Sequence, residues 1–291
     1  MYLDEKKFYS DLDTQIKNQH IRVAIIDLYN NEPNEGMRGI QLLLNTHPLQ
    51  PQQSMSWKIY DVRFRNEIPD MSYDIYISTG GPGSPLPDAN AVWERNYFNL
   101  IDSIFNHNAK GVGNKKYLFL ICHSFQLVSR HLNIAEVTKR KSTAFGIFPI
   151  HKTEEGKKEI LFKQLPDPFH TVDSRDYQVV QPNTVKLLKM GAKILALEKE
   201  RPHVHYERAV MAIRFTDEIF GTQFHPEADP TGMTNYMLRE DKQKHVVHHH
   251  GQDKYDEMLI HLNDDDKLKL TQQSILPGFL RLAIDGNLVL I

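Results

Sequence analysis

Residues 22–28 form a short, almost unbroken apolar run rich in β-branched side chains, the pattern of a strand covered on both faces. A polar turn through 30–34 follows, then helical spacing over 36–44 and alternation over 56–63, which predicts a strand–helix–strand opening. The pattern returns with 73–78 as a strand, 91–105 as an amphipathic helix, 116–121 as an apolar strand and 123–132 as a helix. Strands alternating with helices predict an α/β fold whose central sheet is mostly parallel and flanked by helices. From 142 to 224 the runs are shorter (144–150, 193–198, 209–215 and 218–224) and lack helices between them, which predicts an appended antiparallel sheet. Beyond Pro230 the spacing turns helical, with candidates at 253–262 and 266–276, the second stopped by Pro277. There is no internal repeat and no long Gly/Ser- or Pro-rich linker. One domain over 1–291 is therefore expected, with a core of about 21–229 and a C-terminal helical extension of about 230–291.

Composition narrows the partners. Of 291 residues, 40% are apolar and 25% charged, which is ordinary globular usage. A formal charge of −2 offers no broad cationic surface for phosphates, so neither nucleic acid nor an anionic membrane is an expected partner. No stretch approaches the roughly 20 apolar residues of a membrane-spanning helix. The first twenty residues carry acidic side chains and no apolar run of the signal-peptide kind, and the single cysteine has no partner for a disulfide within the chain. A cytoplasmic location is expected.

That cysteine, Cys122, falls where the apolar run 117–121 ends and a helical pattern begins. This is the strand-to-helix position of a nucleophile elbow, where the positive end of the helix favours the reactive thiolate. Taken alone, a lone cysteine is more often a small buried hydrophobe. About a hundred residues later His225, Pro226 and Glu227 follow another strand-like run, setting an imidazole and a carboxylate two positions apart. A thiol, a base and a carboxylate that orients the base are the parts of acyl transfer. Between strand 73–78 and residue 84 lie Gly80, Gly81, Pro82 and Gly83, where backbone amides can approach a ligand. The amides of Gly81 and His123 are the candidates for an oxyanion hole.

These pieces, in this order and spacing, resemble the class I glutamine amidotransferases, including the glutaminase domain of GMP synthase and its stand-alone relatives. The resemblance rests on Gly80 to Gly83, on Cys122 with Gln126 four residues on, and on His225, Pro226 and Glu227, and it covers about 21–229. It implies a flavodoxin-like fold and attack by the Cys122 thiolate on the side-chain amide of glutamine. Ammonia would leave, and water would hydrolyse the γ-glutamyl thioester, with His225 and Glu227 completing the triad and Gln126 touching the substrate. Residues 170–177 fall where the family places further glutamine contacts. No cofactor is expected, and any synthetase or acceptor site would lie on a partner. Two other readings stay open: a γ-glutamyl amide or peptide hydrolase with the same triad, and a non-catalytic, amidotransferase-like binding or regulatory protein. The family's elbow carries glycine two residues before and after the cysteine, whereas this chain has Leu120 and Ser124, so crowding at the elbow is expected.

Three features stand apart. His245, His248 and His249 have i, i+3, i+4 spacing with His250 adjoining, but no carboxylate or cysteine at a recognised zinc spacing, so a polar surface segment is favoured over a metal site. The basic run 139–141 reads as a solvated turn, and the acidic run 264–266 as a helix start.

Overall fold

The structure, a computed structural model, describes residues 19–88, 91–200, 207–262, 264 and 267–286. A nine-stranded sheet forms its frame. In chain order it comprises β1 (Gln19–Asp27), α1 (Glu35–Thr46), β2 (Gln53–Asp61), α2 (Val62–Arg65), β3 (Ile75–Ser78), α3 (Val92–Lys110), β4 (Tyr117–Ile121) and α4 (His123–His131). Then come β5 (Glu136–Lys152), α5 (Glu154–Lys158), β6 (Phe169–Val180), α6 (Thr184–Met190), β7 (Lys193–Glu198), β8 (Val210–Arg214) and β9 (Ile219–Thr222). Four helices close the described chain: α7 (Pro230–Met237), α8 (Glu240–His250), α9 (Gln252–Leu262) and α10 (Leu268–Gly286).

The sheet order is β2-β1-β3-β4-β9-β8-β7-β5-β6. Its first five strands pair in parallel and the rest antiparallel, so the expected mostly parallel centre with an antiparallel wing is present. Strands β3, β4 and β9 are buried at every position, which explains the wholly apolar sequence of β4 and the apolar openings of β3 and β9. On one face Ile40, Leu43 and Leu44 of α1 share a core with Leu276, Phe279 and Leu280 of α10. On the other, Tyr97, Ile101 and Ile104 of α3 meet Phe125 and Val128 of α4. A third cluster joins Met233, Met237, Val246 and Met258 of the C-terminal helices to Ile147 and Val172 of the wing. Among the described residues no helix is long and apolar enough to cross a membrane.

Three expectations need correction. The segment 142–224 contains two short helices, α5 and α6, and a twelve-residue strand, β6, absent from the sequence reading. Asp173 and Arg175 hid it: both side chains point inward and neutralise each other at 2.9 Å, so polar residues occupy buried positions of the strand. The basic run 139–141 is no turn. It lies within β5, beside a register shift between Lys139 and Ala144, and Arg140 pairs with Glu198 at 3.0 Å. Finally, α10 runs through Pro277. Phe279 packs edge-on against Phe119 at 5.1 Å, and Leu280, Ala283 and Ile284 are buried beyond the proline. Burial of that many apolar side chains, at roughly 1.5–3 kcal/mol each, outweighs the cost of about 3 kcal/mol for proline inside a helix. Asp265 and Asp266 lie outside the described residues, as do the side chains of His245, His249 and His250. Among the described residues no group of three or more metal-ligating side chains could hold a metal ion.

Candidate active site

In a parallel sheet, ligands sit outside the carboxyl ends of the strands. Tyr29 just beyond β1, the glycine loop beyond β3, Cys122 beyond β4 and His225 beyond β9 all border one cavity of about 510 Å³.

Cys122 occupies the single residue between β4 and α4 with φ +48° and ψ −97°, in the region that side chains other than glycine rarely adopt. A strained residue of this kind costs about 1–3 kcal/mol and needs surroundings that hold it. Its amide donates to the Thr222 carbonyl at 2.7 Å, tying the elbow to β9, and its carbonyl accepts from the Gln126 amide, the first helical bond of α4. The sulfur lies 3.7 Å from the Ser174 carbonyl and accepts from the Gln223 side-chain amide at 3.6 Å.

The expected crowding at Leu120 and Ser124 is relieved by two different means. Ser124 is fully buried; its hydroxyl oxygen accepts from the Ile121 amide at 2.8 Å and donates to the Ser78 carbonyl at 2.8 Å, pinning the elbow to β3. Leu120 pairs across the sheet with Gly221. A methyl group on Gly221 would stand 3.3 Å from the Leu120 Cβ and 2.7 Å from the Phe125 ring, so the missing side chain on β9 makes the room that Leu120 uses.

His225 hangs beyond β9, held by a backbone bond from its amide to the Val172 carbonyl at 2.9 Å. Its Nδ1 donates to Glu227 Oε1 at 2.8 Å, and the Cys122 thiol is near enough to act on the charge of the ring. Burial works against a charged ring here, but the charges of Glu227 and Cys122 overcome it and raise the His225 pKa well above its ordinary value. Glu227 is completely buried, and its second oxygen has no hydrogen-bond partner among the described residues. The Tyr29 hydroxyl, also buried and without a partner among the described residues, borders the same cavity; burial, then the charges of Glu227, Cys122 and Asp27, raise its pKa.

Gly80 packs so closely that a Cβ there would sit 2.9 Å from His225 Cε1. A Cβ on Gly81 would sit 2.3 Å from the Leu28 carbonyl oxygen, so only glycine lets this loop lie against the end of β1. Arg63 of α2 braces the loop from behind by donating to the Pro82 carbonyl and stacking on Trp93 at 5.4 Å. Gly81 and His123 both line the cavity, and among the described residues neither amide has a hydrogen-bond partner. The His123 ring is buried, and burial, with the nearby charges of Arg63 and Arg130, pushes its pKa down to about 3, so it is neutral.

Gln126 is buried, and its amide nitrogen donates to the Tyr177 carbonyl and to Gln223 Oε1, both at 3.2 Å. It thus joins β6, through Gln223, to the sulfur. All six site residues expected from the sequence meet around the cavity, and Ser174, Arg175 and Tyr177 border it from the segment 170–177. Sequence reasoning passed over Gln223, Tyr29 and Arg63. The first two stand at carboxyl ends of parallel strands, a placement that would have flagged them; Arg63 left no signal.

Residues 50–244 match the family model described as glutamine amidotransferase class-I. The chain belongs to that family. Among solved structures, a glutamine amidotransferase from Thermotoga maritima is 17% identical, with 93% of this chain and 99% of that one covered and a TM-score of 0.64. One from Methylobacillus flagellatus is 16% identical, with 93% and 95% covered and a TM-score of 0.59. The glutaminase domain of the Trypanosoma brucei CTPS, solved with bound acivicin, is 15% identical, with 91% and 94% covered and a TM-score of 0.55. At such identities the likeness is one of fold. No curated protein matches the chain. As a class I glutamine amidotransferase, the chain keeps the family's flavodoxin-like parallel core, extended by an antiparallel wing and C-terminal helices.

Proposed function

We propose that the protein hydrolyses the side-chain amide of glutamine through a γ-glutamyl thioester on Cys122. The observation that carries this is the strained backbone of Cys122 beside an imidazole that Glu227 holds by Nδ1. That hydrogen bond fixes the tautomer and leaves Nε2 for the thiol. The thiolate attacks the amide carbon, and the amides of Gly81 and His123 receive the oxyanion. The C–N bond breaks as the His225 imidazolium gives its proton to the departing nitrogen. His225 then takes a proton from water, which adds to the thioester and releases glutamate. Gln126, its nitrogen already engaged, offers its amide oxygen to the amino-acid end of the substrate. Ammonia passes to an acceptor, and a synthetase-type partner fits this role. The reaction needs no cofactor. A lone cysteine that must stay reduced suits the cytoplasm. We also read 1–291 as one domain, with 21–229 as the catalytic core and 230–291 as its helical extension.

Incubation with an electrophilic glutamine analogue, followed by mass spectrometry, tests the reading. A single adduct on Cys122, together with ammonia release from glutamine that vanishes in Cys122→Ala, is expected. Absence of both, in buffer and in cell extract, would leave the non-catalytic binding protein as the better account. One observation favours hydrolysis of γ-glutamyl amides by the same groups: the cavity of about 510 Å³ exceeds what a free amino acid of glutamine's size fills.

A further inference from the structure

The departing nitrogen takes its proton from His225, so anything attached to that nitrogen must extend along the His225 side of the cavity. That side is apolar and aromatic. Val172 bridges His225 through the backbone, and Ala228 follows it by three residues. Helix α7 begins only five residues after His225 and turns Met233 and Tyr236, one helical turn apart, toward the cavity. Phe145 pairs across β5 and β6 with Ser174, whose carbonyl lies 3.7 Å from the Cys122 sulfur. The Phe145 and Tyr236 rings stand 5.9 Å apart with a tilt of 42°, both half-buried at the cavity wall. An aromatic wall therefore begins one strand away from the nucleophile and continues into α7.

The ionised groups bordering α7 are engaged with one another. Asp229, which caps the helix, is bonded to Arg38, itself paired with Glu35 at 2.6 Å, and Arg239 pairs with Asp241 at 3.0 Å. A flat apolar group would find two rings and a thioether on this wall to cover it. Ammonia needs none of this.

Resting on the thioester chemistry above, we propose that the protein's preferred substrates are γ-glutamyl amides whose amine carries an aromatic or bulky apolar group, seated on Phe145, Met233 and Tyr236. The balance is that of the glutamine reaction. Cys122 Sγ bonds to the γ-carbonyl carbon, the C–N bond breaks, and the arylalkyl amine leaves with the His225 proton. Water then cleaves the C–S bond, releasing glutamate and restoring the thiol.

The test compares γ-glutamylbenzylamide, γ-glutamylmethylamide and glutamine with the full chain, following glutamate release. Burial of one phenyl ring raises kcat/KM of the benzylamide over the methylamide by about tenfold to a hundredfold. Tyr236→Ala and Phe145→Ala each draw that ratio toward one, and Tyr236→Phe, which keeps the ring, preserves it. A wild-type ratio of one or less overturns the proposal, even if either alanine variant fails to fold, and so does a ratio that survives both alanine substitutions. If glutamine is hydrolysed and the electrophilic analogue labels Cys122 while no aryl preference exists, only the substrate assignment falls. If no substrate is cleaved and Cys122 stays unlabelled, the thioester reading falls with it.

Discussion

Gly80→Ala separates the geometry of the site from the stability of the fold. Gly80 does not have a positive φ, so its backbone suits alanine, and the substitution acts only through the added methyl group. That methyl group would lie 2.9 Å from His225 Cε1 and 3.6 Å from the Cys122 Cβ. Ordinary van der Waals contact begins near 3.4 Å, so the imidazole must retreat by about 0.5–1 Å. The Cε1 atom lies between the two ring nitrogens, so the retreat moves Nε2 relative to the thiol and Nδ1 relative to Glu227. A misplacement of about 1 Å costs on the order of a hundredfold in rate, so kcat/KM for glutamate release is expected to fall by about tenfold to a hundredfold, equivalent to roughly 1.4–2.7 kcal/mol in the barrier. The ring is 15% exposed to the cavity and can yield without disturbing the core, so stability should drop by about 1 kcal/mol or less. Steady-state kinetics with equilibrium denaturation of the same preparation gives both numbers. A wild-type kcat/KM, or a rate loss matched by a collapse in stability, would refute the packing argument.

Three further outcomes follow from the same contacts. Glu227→Gln removes the charge that raises the His225 pKa, so the alkaline limb of the kcat/KM profile should move to lower pH. Because the folded-state value is raised, His225 contributes stability below its unfolded value of about 6.5 and loses it as pH rises through the folded value, and this dependence should shrink in the variant's thermal melts. Ser124→Ala removes a hydroxyl that accepts from the Ile121 amide and donates to the Ser78 carbonyl and should cost about 0.5–1.5 kcal/mol in denaturant titrations; an unchanged midpoint would count against the pinning role. Gly221→Ala drives a methyl group to within 2.7 Å of the Phe125 ring and 3.3 Å of the Leu120 Cβ, an overpacking of about 1–3 kcal/mol, and adding Phe125→Leu, which removes the ring it meets, should recover part of it in a double-mutant cycle.

What the sequence made legible was whatever one segment or one residue type could signal alone. Strands β1 and β4 are buried on both faces and advertise it with unbroken apolar runs. The candidates Cys122, His225 and Glu227 stand out because a thiol, an imidazole and a carboxylate at strand ends are residue types that acyl transfer uses. Strand β6 stayed hidden because Asp173 and Arg175 satisfy each other inside the wing, a pairing with no trace in local hydropathy. Pro277 misled for the related reason that tertiary burial outweighs a local helix-breaking signal. The place of Gln223 at a strand's carboxyl end could be read from the sequence, but its bond to the sulfur exists only once β9 lies beside β4.

The elbow shows what such long-range pairing can substitute for. The strain is concentrated in Cys122, whose φ of +48° is stabilised by its own amide bond to Thr222 rather than by flexibility in its neighbours. What positions 120 and 124 must provide is space against β9 and a tie to β3. Glycine supplies space by having no side chain. Here Gly221 supplies it from the opposite strand, so Leu120 can add to the core shared with Phe125 and Phe215. Ser124 goes further than glycine, because its hydroxyl adds hydrogen bonds to a buried amide of β4 and a buried carbonyl of β3. The requirement at the elbow is therefore on volume and hydrogen bonds summed over three strands, and a local glycine pattern is only one way to meet it.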